Sequence, residues 1–225
     1  MDRRAWLGAR RAAVEEDYTR GAPTYEDTDT PIAPTHRRFV GLLLETMPPG
    51  GTVLDAPCGT GKYFGIVEAA GRQVVGLDQS AGMLEQARRK RVAIRLEKTG
   101  LQELAFDGAF DAVMSVDAME NVPPEDWPLV LANVRRALRP DGHLYFTVEE
   151  IDEAFIDRLF AEGSALGLPL VRGERIDEAS AGYHFYPGRE RVNRWLDEAG
   201  FDAVEEGHNQ GRGYGYHHRL VRSRS

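Results

Sequence analysis

At 225 residues, with 42% hydrophobic and 28% charged side chains, the chain is long enough to bury a complete core as one domain, and it has no long unbroken apolar window of the kind that spans a membrane. Its net charge of −8 argues against a nucleic-acid partner, and the lone Cys58 excludes an internal disulfide and a cysteine-built metal cluster. The start MDRRAWLGARRAAVEED alternates charge with small residues and lacks the apolar stretch of a signal peptide, so the expected compartment is the cytoplasm, with no membrane partner.

In chain order, residues 1–30 carry few apolar anchors but include Tyr18 and Tyr25, and a helix is expected around 34–46. Short β-rich runs then follow: TVLDA (52–56), QVVGLD (73–78), VAIRLE (92–97), FDAVMSVD (110–117) and GHLYFTVE (142–149). They alternate with helix-compatible segments near 60–70, 80–90, 125–139 and 151–166, a pattern that predicts a parallel sheet covered on both faces. The basic run Arg88, Arg89, Lys90, Arg91 closes one of these helices, where cations suit the dipole and face water. After a further helix, GRERVNRWLDEAG (188–200), come the strand-like runs FDAVEEGH (201–208) and YGYHHRLV (214–221). Their connection, NQGRG, is too short for a crossover helix, so the two are expected as an antiparallel pair at the sheet edge.

The stretch VLDAPCGTGKYFG (53–65) carries the first chemical signal. Small residues after a parallel strand bring backbone N–H groups close to a ligand, and the next helix aims its positive end at the same place. A phosphate-cradling P-loop is disfavoured because Lys62 is not followed by Ser or Thr. Gly59, Gly61 and Gly65 make GxGxxxG, one residue longer than a dinucleotide fingerprint, and Asp55 before them would repel a pyrophosphate while favouring an ammonium or sulfonium. Asp78 closes the following strand, where doubly wound folds hold ribose hydroxyls on a carboxylate. Together the two acids describe a nucleoside with a cationic tail; the competing reading makes each a helix cap.

The pieces VLDAPCGTGKYFG, VVGLDQSAGMLEQAR, FDAVMSVDAMENVPPEDW and RALRPDGHLYFTVEE, in that order and spacing, resemble the class I S-adenosylmethionine-dependent methyltransferase family over roughly residues 36–222. The resemblance implies an α/β, Rossmann-like doubly wound and mostly parallel seven-stranded sheet with an antiparallel C-terminal edge strand. It also implies an N-terminal helical lid (1–35) before a methyltransferase domain (36–225). DYTRGAPTYED resembles the Tyr-containing segment that many small-molecule members fold over the cofactor, which makes Tyr18 and Tyr25 lid residues. By the same resemblance Asp55, Ala56, Gly59 and Gly61 surround the methionine part of S-adenosyl-L-methionine and Asp78 holds the ribose. Met83 and Leu101 meet the adenine, while Gln79, Gly100 and Val116 complete the cofactor set. One departure stands out: the family commonly places an acid where this chain has Gly100, so the adenine amine needs another acceptor, with Gln102 or a backbone carbonyl as candidates.

Acceptor-site residues are expected at the carboxyl ends of the parallel strands. Asp117 and Glu120 follow the fourth strand, and Glu149 and Glu150 follow the fifth; each could grip a substrate amine or cap a helix. In SAGYHFYPGRE (180–190), His184 among Tyr183, Phe185 and Tyr186 is the best general-base candidate, with Tyr183 as a further catalytic candidate; the alternative is a packed histidine satisfied by a backbone carbonyl. His143 lies at the wrong end of the sheet, and no metal is assigned to His208, His217 and His218, whose strand reads as an edge made polar against unwanted pairing. The expected function is methyl transfer to an O, N or C atom of a small organic metabolite by a monomer or homodimer. A non-methylating protein of the same fold that binds the cofactor or its product is the alternative, and a nicotinamide-dependent oxidoreductase is disfavoured by Asp55.

Overall fold

A computed structural model of the chain describes residues 2–25, 31–176, 182–210 and 214–224. Positions 26–27 of DYTRGAPTYED, 180–181 of SAGYHFYPGRE and 211–213 of NQGRG lie outside the described residues.

The chain opens with helix α1 (Arg3–Gly21), capped by Asp2, and helix α2 (Pro34–Glu45). It then alternates as expected: β1 (Thr52–Asp55), α3 (Phe64–Ala69), β2 (Gln73–Asp78), α4 (Ala81–Lys90), β3 (Arg95–Lys98), β4 (Phe110–Ser115), α5 (Trp127–Ala137), β5 (Leu138–Glu150) and α6 (Glu153–Ala165). A small antiparallel ribbon of β6 (Glu174–Ile176) and β7 (Tyr183–Phe185) follows, then α7 (Arg189–Glu198), β8 (Phe201–Gln210) and β9 (Gly215–Ser223). Seven strands form one sheet in the order β3-β2-β1-β4-β5-β9-β8, with β1 to β5 mutually parallel. The order reverses between β1 and β4, so a crevice opens at their carboxyl ends.

Alternating side chains on each strand serve two cores. Leu54, Val113, Phe146 and Val148 pack with α5 and α7, whereas Val53, Ala112, Met114 and Tyr145 pack with α2, α3 and α4. Trp127 is fully buried, stacks on Trp195 at 5.1 Å and donates its indole N–H to the Val122 carbonyl at 3.1 Å, which ties the loop after β4 to the core.

Several expectations shift at this level. The helix expected over 60–70 begins only at Phe64, because the glycine loop occupies the residues before it. The third strand starts at Arg95 rather than 92, since Val92 sits in an exposed turn. The ribbon β6–β7 was not anticipated.

The C-terminal pair is antiparallel, but its last member is not the edge. β9 lies between β5 and β8, and His217, His218 and Arg219 are buried rather than edge-protecting. Phe39 of α2 stacks on His218 at 5.1 Å on one face, and Arg219 reaches Asn193 of α7 at 2.6 Å on the other. Burial, then Arg219 for His217 and His36 for His218, hold both histidines down to about 4, so the His218 ring is neutral; its Nε2 then donates to Asn209 (2.6 Å) and its Nδ1 accepts from the Tyr145 hydroxyl (2.9 Å).

Candidate active site

At the carboxyl ends of β1, β2 and β4 a cavity of about 760 Å³ opens beneath α1, within the range of roughly 300–1,000 Å³ typical of small-molecule sites. Its floor is the loop after β1. Gly59 and Gly61 take positive φ (54° and 80°), and a Cβ at Gly61 would come within 2.6 Å of the Phe64 ring, so this turn requires glycine. Asp55 and Ala56 are buried and Gly61 half-buried, and the cavity wall at this loop is made by Pro57, Cys58 and Gly59 rather than by these three predicted cofactor residues.

Neither acid caps a helix. α3 begins at Phe64 without a side-chain cap, far from Asp55, and α4 is capped by Ser80, which accepts the Met83 N–H at 3.2 Å. Asp78 instead lines the cavity and accepts the N–H groups of Gly59 (2.9 Å) and Ser80 (2.8 Å), while burial pushes its pKa up to about 6. Next to it stand Gln79 and Met83, and across from them Gly100 and Leu101. Met83 and Leu101 supply apolar lining and the Asp78 carboxyl an acceptor at the strand end, the combination that a nucleoside's base and ribose hydroxyls require.

Helix α1 roofs the cavity. Its inward stripe buries Trp6 and Val14 in the core, more anchorage than the apolar-poor sequence suggested. Tyr18 and Tyr25 line the cavity with their rings edge to face at 6.2 Å. Arg11 donates to Glu103 at 2.7 Å and to Gln79 at 3.3 Å, and a Cβ on Gly100 would run into its guanidinium. The space that an acid at position 100 would fill is therefore taken by the Arg11–Glu103 pair. Gln102, one candidate adenine acceptor, donates instead to Asp126 at 3.2 Å, and the carbonyls of Leu101 and Gln102 both accept from Asn133 (3.1 and 2.9 Å).

Val116 and Asp117 line the cavity; the other acceptor-side candidates, Glu120, Glu149 and His184, are not among its lining residues. Asp117, two residues past the end of β4, has φ 52°, a left-handed conformation that costs a non-glycine residue about 1 kcal/mol or more. Thr147 holds it by accepting its N–H at 2.8 Å and donating to Oδ1 at 3.4 Å, and His36 Nε2 donates to the same Oδ1 at 3.1 Å. Glu149 is buried and pairs with His184 Nδ1 at 2.9 Å. His184 is thus held by a carboxylate rather than by a carbonyl, and Glu149 and Glu150 are not caps, since α6 is capped by Asp152. Glu120 sits in the short 3-10 turn Met119–Asn121, and burial, then Glu149 and Asp117, keep its carboxyl well above the usual range.

Tyr183 lines the cavity but donates its hydroxyl to the buried Glu174 at 2.5 Å, and Arg3 grips the same carboxylate at 2.8 Å. That geometry makes Tyr183 a pin between the ribbon and α1 instead of a proton donor to a ligand. Glu150 is turned outward to Arg189 (2.7 Å), His208 stacks on His217 at 4.5 Å, and His143 is far down β5 opposite Arg222. His36, Thr147, Asn133 and Arg11 were missed by the sequence reading. Each acts through a contact between distant segments that no local pattern marks.

The sequence profile of a methyltransferase domain matches residues 53–142, which hold the glycine loop, Asp78 and the end of β4. The chain is 38% identical over 176 residues to a demethylmenaquinone methyltransferase of Bacillus cereus, covering 70% of this chain and 72% of that one. It is 29% identical over 197 residues to a malonyl-[acyl-carrier protein] O-methyltransferase of Pectobacterium atrosepticum, covering 86% and 67%. In fold it is similar to a Burkholderia thailandensis 1,6-didemethyltoxoflavin-N1-methyltransferase solved with bound 1,6-didemethyltoxoflavin and S-adenosylhomocysteine, with a TM-score of 0.72, 20% identity, and 95% and 88% coverage. The fold and the crevice define a doubly wound nucleoside-binding domain. Within that class, the chain belongs to the S-adenosylmethionine-dependent methyltransferases, and S-adenosyl-L-methionine is its cofactor.

Proposed function

We propose that the chain moves the methyl group of S-adenosyl-L-methionine to a small organic acceptor bound against Asp117, Glu120, Glu149 and His184. The observation that carries this reading is the cavity lined by Asp78, Met83, Leu101 and Asp117 at the carboxyl ends of the parallel strands, with the His184–Glu149 pair at 2.9 Å at the end of the neighbouring strand β5. When bound, the cofactor supplies a methyl group on a sulfonium, which an aligned nucleophile can displace. Asp78 takes the ribose hydroxyls, Met83 and Leu101 sandwich the adenine, and the loop of Asp55 to Gly61 receives the methionine end. Tyr18 and Tyr25 close over it and exclude water, so that alignment and desolvation supply most of the rate. His184, oriented by Glu149, accepts the acceptor's proton where the acceptor has one to lose.

In this reading residues 1–35 act as the lid and 36–225 as the catalytic domain. The acceptor is a free metabolite rather than nucleic acid, in keeping with the net charge of −8. The work is done in the cytoplasm by a monomer or homodimer; among the described residues no helix is long and apolar enough to cross a membrane. The test is calorimetry with S-adenosylhomocysteine followed by transfer of labelled methyl groups to a metabolite pool. Micromolar binding and labelled small products are expected. Binding without transfer to any small molecule would favour the non-methylating alternative.

A further inference from the structure

Helix α1 brings four arginines to the cavity wall, Arg3, Arg4, Arg10 and Arg11, and they are not equivalent. Arg3 is held by Glu125 and Glu174, Arg11 is held by Glu103, and Arg4 is exposed. Arg10 is half-buried, yet among the described residues it makes neither an ion pair nor a hydrogen bond. Its Nε is sealed from water without a partner, whereas its two terminal nitrogens are not sealed, so they are the donors left open at the cavity wall. A half-buried guanidinium without a counter-charge is costly unless something accepts from it. The acids of the cavity are all engaged elsewhere. Asp78 accepts two main-chain N–H groups, Asp117 is answered by His36 and Thr147, Glu103 by Arg11, Glu125 by Arg3 and Asp126 by Gln102.

Resting on the methyltransferase reading above, we propose that the methyl acceptor carries a carboxylate seated on the Arg10 guanidinium, with an apolar body along Leu7, Val122, Pro123 and Leu129, which line the same cavity. The flat guanidinium fork matches the two oxygens of a carboxylate, and with five acids on the same walls one open guanidinium suits a monoanion better than a phosphate dianion. Position assigns the group to the acceptor rather than to the cofactor. Arg10 stands one turn along α1 from Trp6, whose ring meets Tyr183 at 6.3 Å, and about 12 Å of helix separates it from Tyr18, which closes with Tyr25 over the cofactor. Leu129 is an exposed apolar side chain that lines the cavity, so the apolar body enters between α1 and the start of α5.

The full chain saturated with S-adenosylhomocysteine is titrated at pH 7 with 3-phenylpropionate and octanoate, and with the matching amides 3-phenylpropanamide and octanamide. At least one carboxylate should bind about tenfold or more tightly than its amide. Arg10→Gln should erase most of that preference and Arg10→Lys should keep part of it, each with S-adenosylhomocysteine affinity within about twofold of the unaltered chain. Amides binding as well as the carboxylates, neither class binding, or a preference intact in Arg10→Gln would each overturn the proposal. A parallel loss of S-adenosylhomocysteine affinity in Arg10→Gln would overturn it too, by putting the cofactor's own carboxylate on Arg10. Failure of S-adenosylhomocysteine to bind the unaltered chain would instead sink the methyltransferase reading.

Discussion

The two halves of the crevice are built by different means. Toward β3, the half assigned to the cofactor is wired largely by main chain: Cys58 N–H to the Leu77 carbonyl at 2.7 Å, Thr99 N–H to the Asp78 carbonyl at 3.0 Å, and the Gly59 and Ser80 N–H groups on the Asp78 side chain. Toward β9, the half assigned to the acceptor is held by side chains from distant segments, as in His36 on Asp117 and His184 on Glu149. A main-chain scaffold keeps one ligand through many side-chain changes. A side-chain scaffold can be respecified one substitution at a time, so one fold can keep its cofactor while changing its acceptor.

The largest effect expected from breaking this arrangement lies under the acceptor half. Trp127→Ala removes a fully buried indole, its stacking on Trp195 and its hold on Val122, and should cost about 3–5 kcal/mol in denaturant titration. A loss below about 1 kcal/mol would mean that the loop carrying Glu120 is not fastened through this residue.

Next comes a crossed pair of variants. His184→Gln should lower kcat by about 10²-fold with S-adenosylhomocysteine affinity retained. Asp78→Asn should do the reverse, weakening affinity by about tenfold with kcat at saturating cofactor near normal. Equal damage to both parameters in both variants would show that the halves are not separable.

The pH dependence of binding sharpens the same contrast. Asp78 titrates at about 6 in the free protein, and only its carboxylate form accepts two ribose hydroxyls, so each bound ligand must find it ionised. Affinity for S-adenosylhomocysteine should therefore be flat above pH 7 and weaken by up to about tenfold on going to pH 5, as the competing proton fills the site. Asp78→Asn should flatten that profile. A wild-type affinity unchanged between pH 5 and 7 would contradict a ribose on Asp78.

The same contrast decides what could be foreseen. The cofactor half was legible because strand runs, glycine punctuation and acids at strand ends are local signals. Asp55 and Asp78 were placed at the ends of β1 and β2, where the structure has them. The acceptor half was legible only as residue types. His184 and Glu149 were both singled out, but their pairing spans β5 and the ribbon and leaves no periodic trace. Arg3 and Glu174, 171 positions apart, are an extreme case. The last strand was misjudged as the edge for a related reason: polar side chains in a strand are compatible with an exposed edge or with a buried network. Only the insertion of β9 between β5 and β8, with Tyr145 and Asn209 to satisfy His218, decides between them.

The smallest predicted effect concerns the roof. Arg11 bridges α1 to Glu103 and Gln79 above Gly100, but its side chain is 35% exposed and that of Glu103 is 53% exposed, so water screens the pair. An exposed ion pair of this kind contributes about 0.2–1 kcal/mol, and roughly half of that is lost as salt shortens the screening distance. Arg11→Ala should therefore weaken S-adenosylhomocysteine binding by up to about fivefold at low ionic strength, through a looser roof, and by no more than about twofold in about 0.5 M salt. Calorimetry at the two salt concentrations measures this directly. A tenfold loss that persists at high salt would show the guanidinium touching the ligand itself, and would turn Arg11 from a latch on the cofactor half into part of its binding surface.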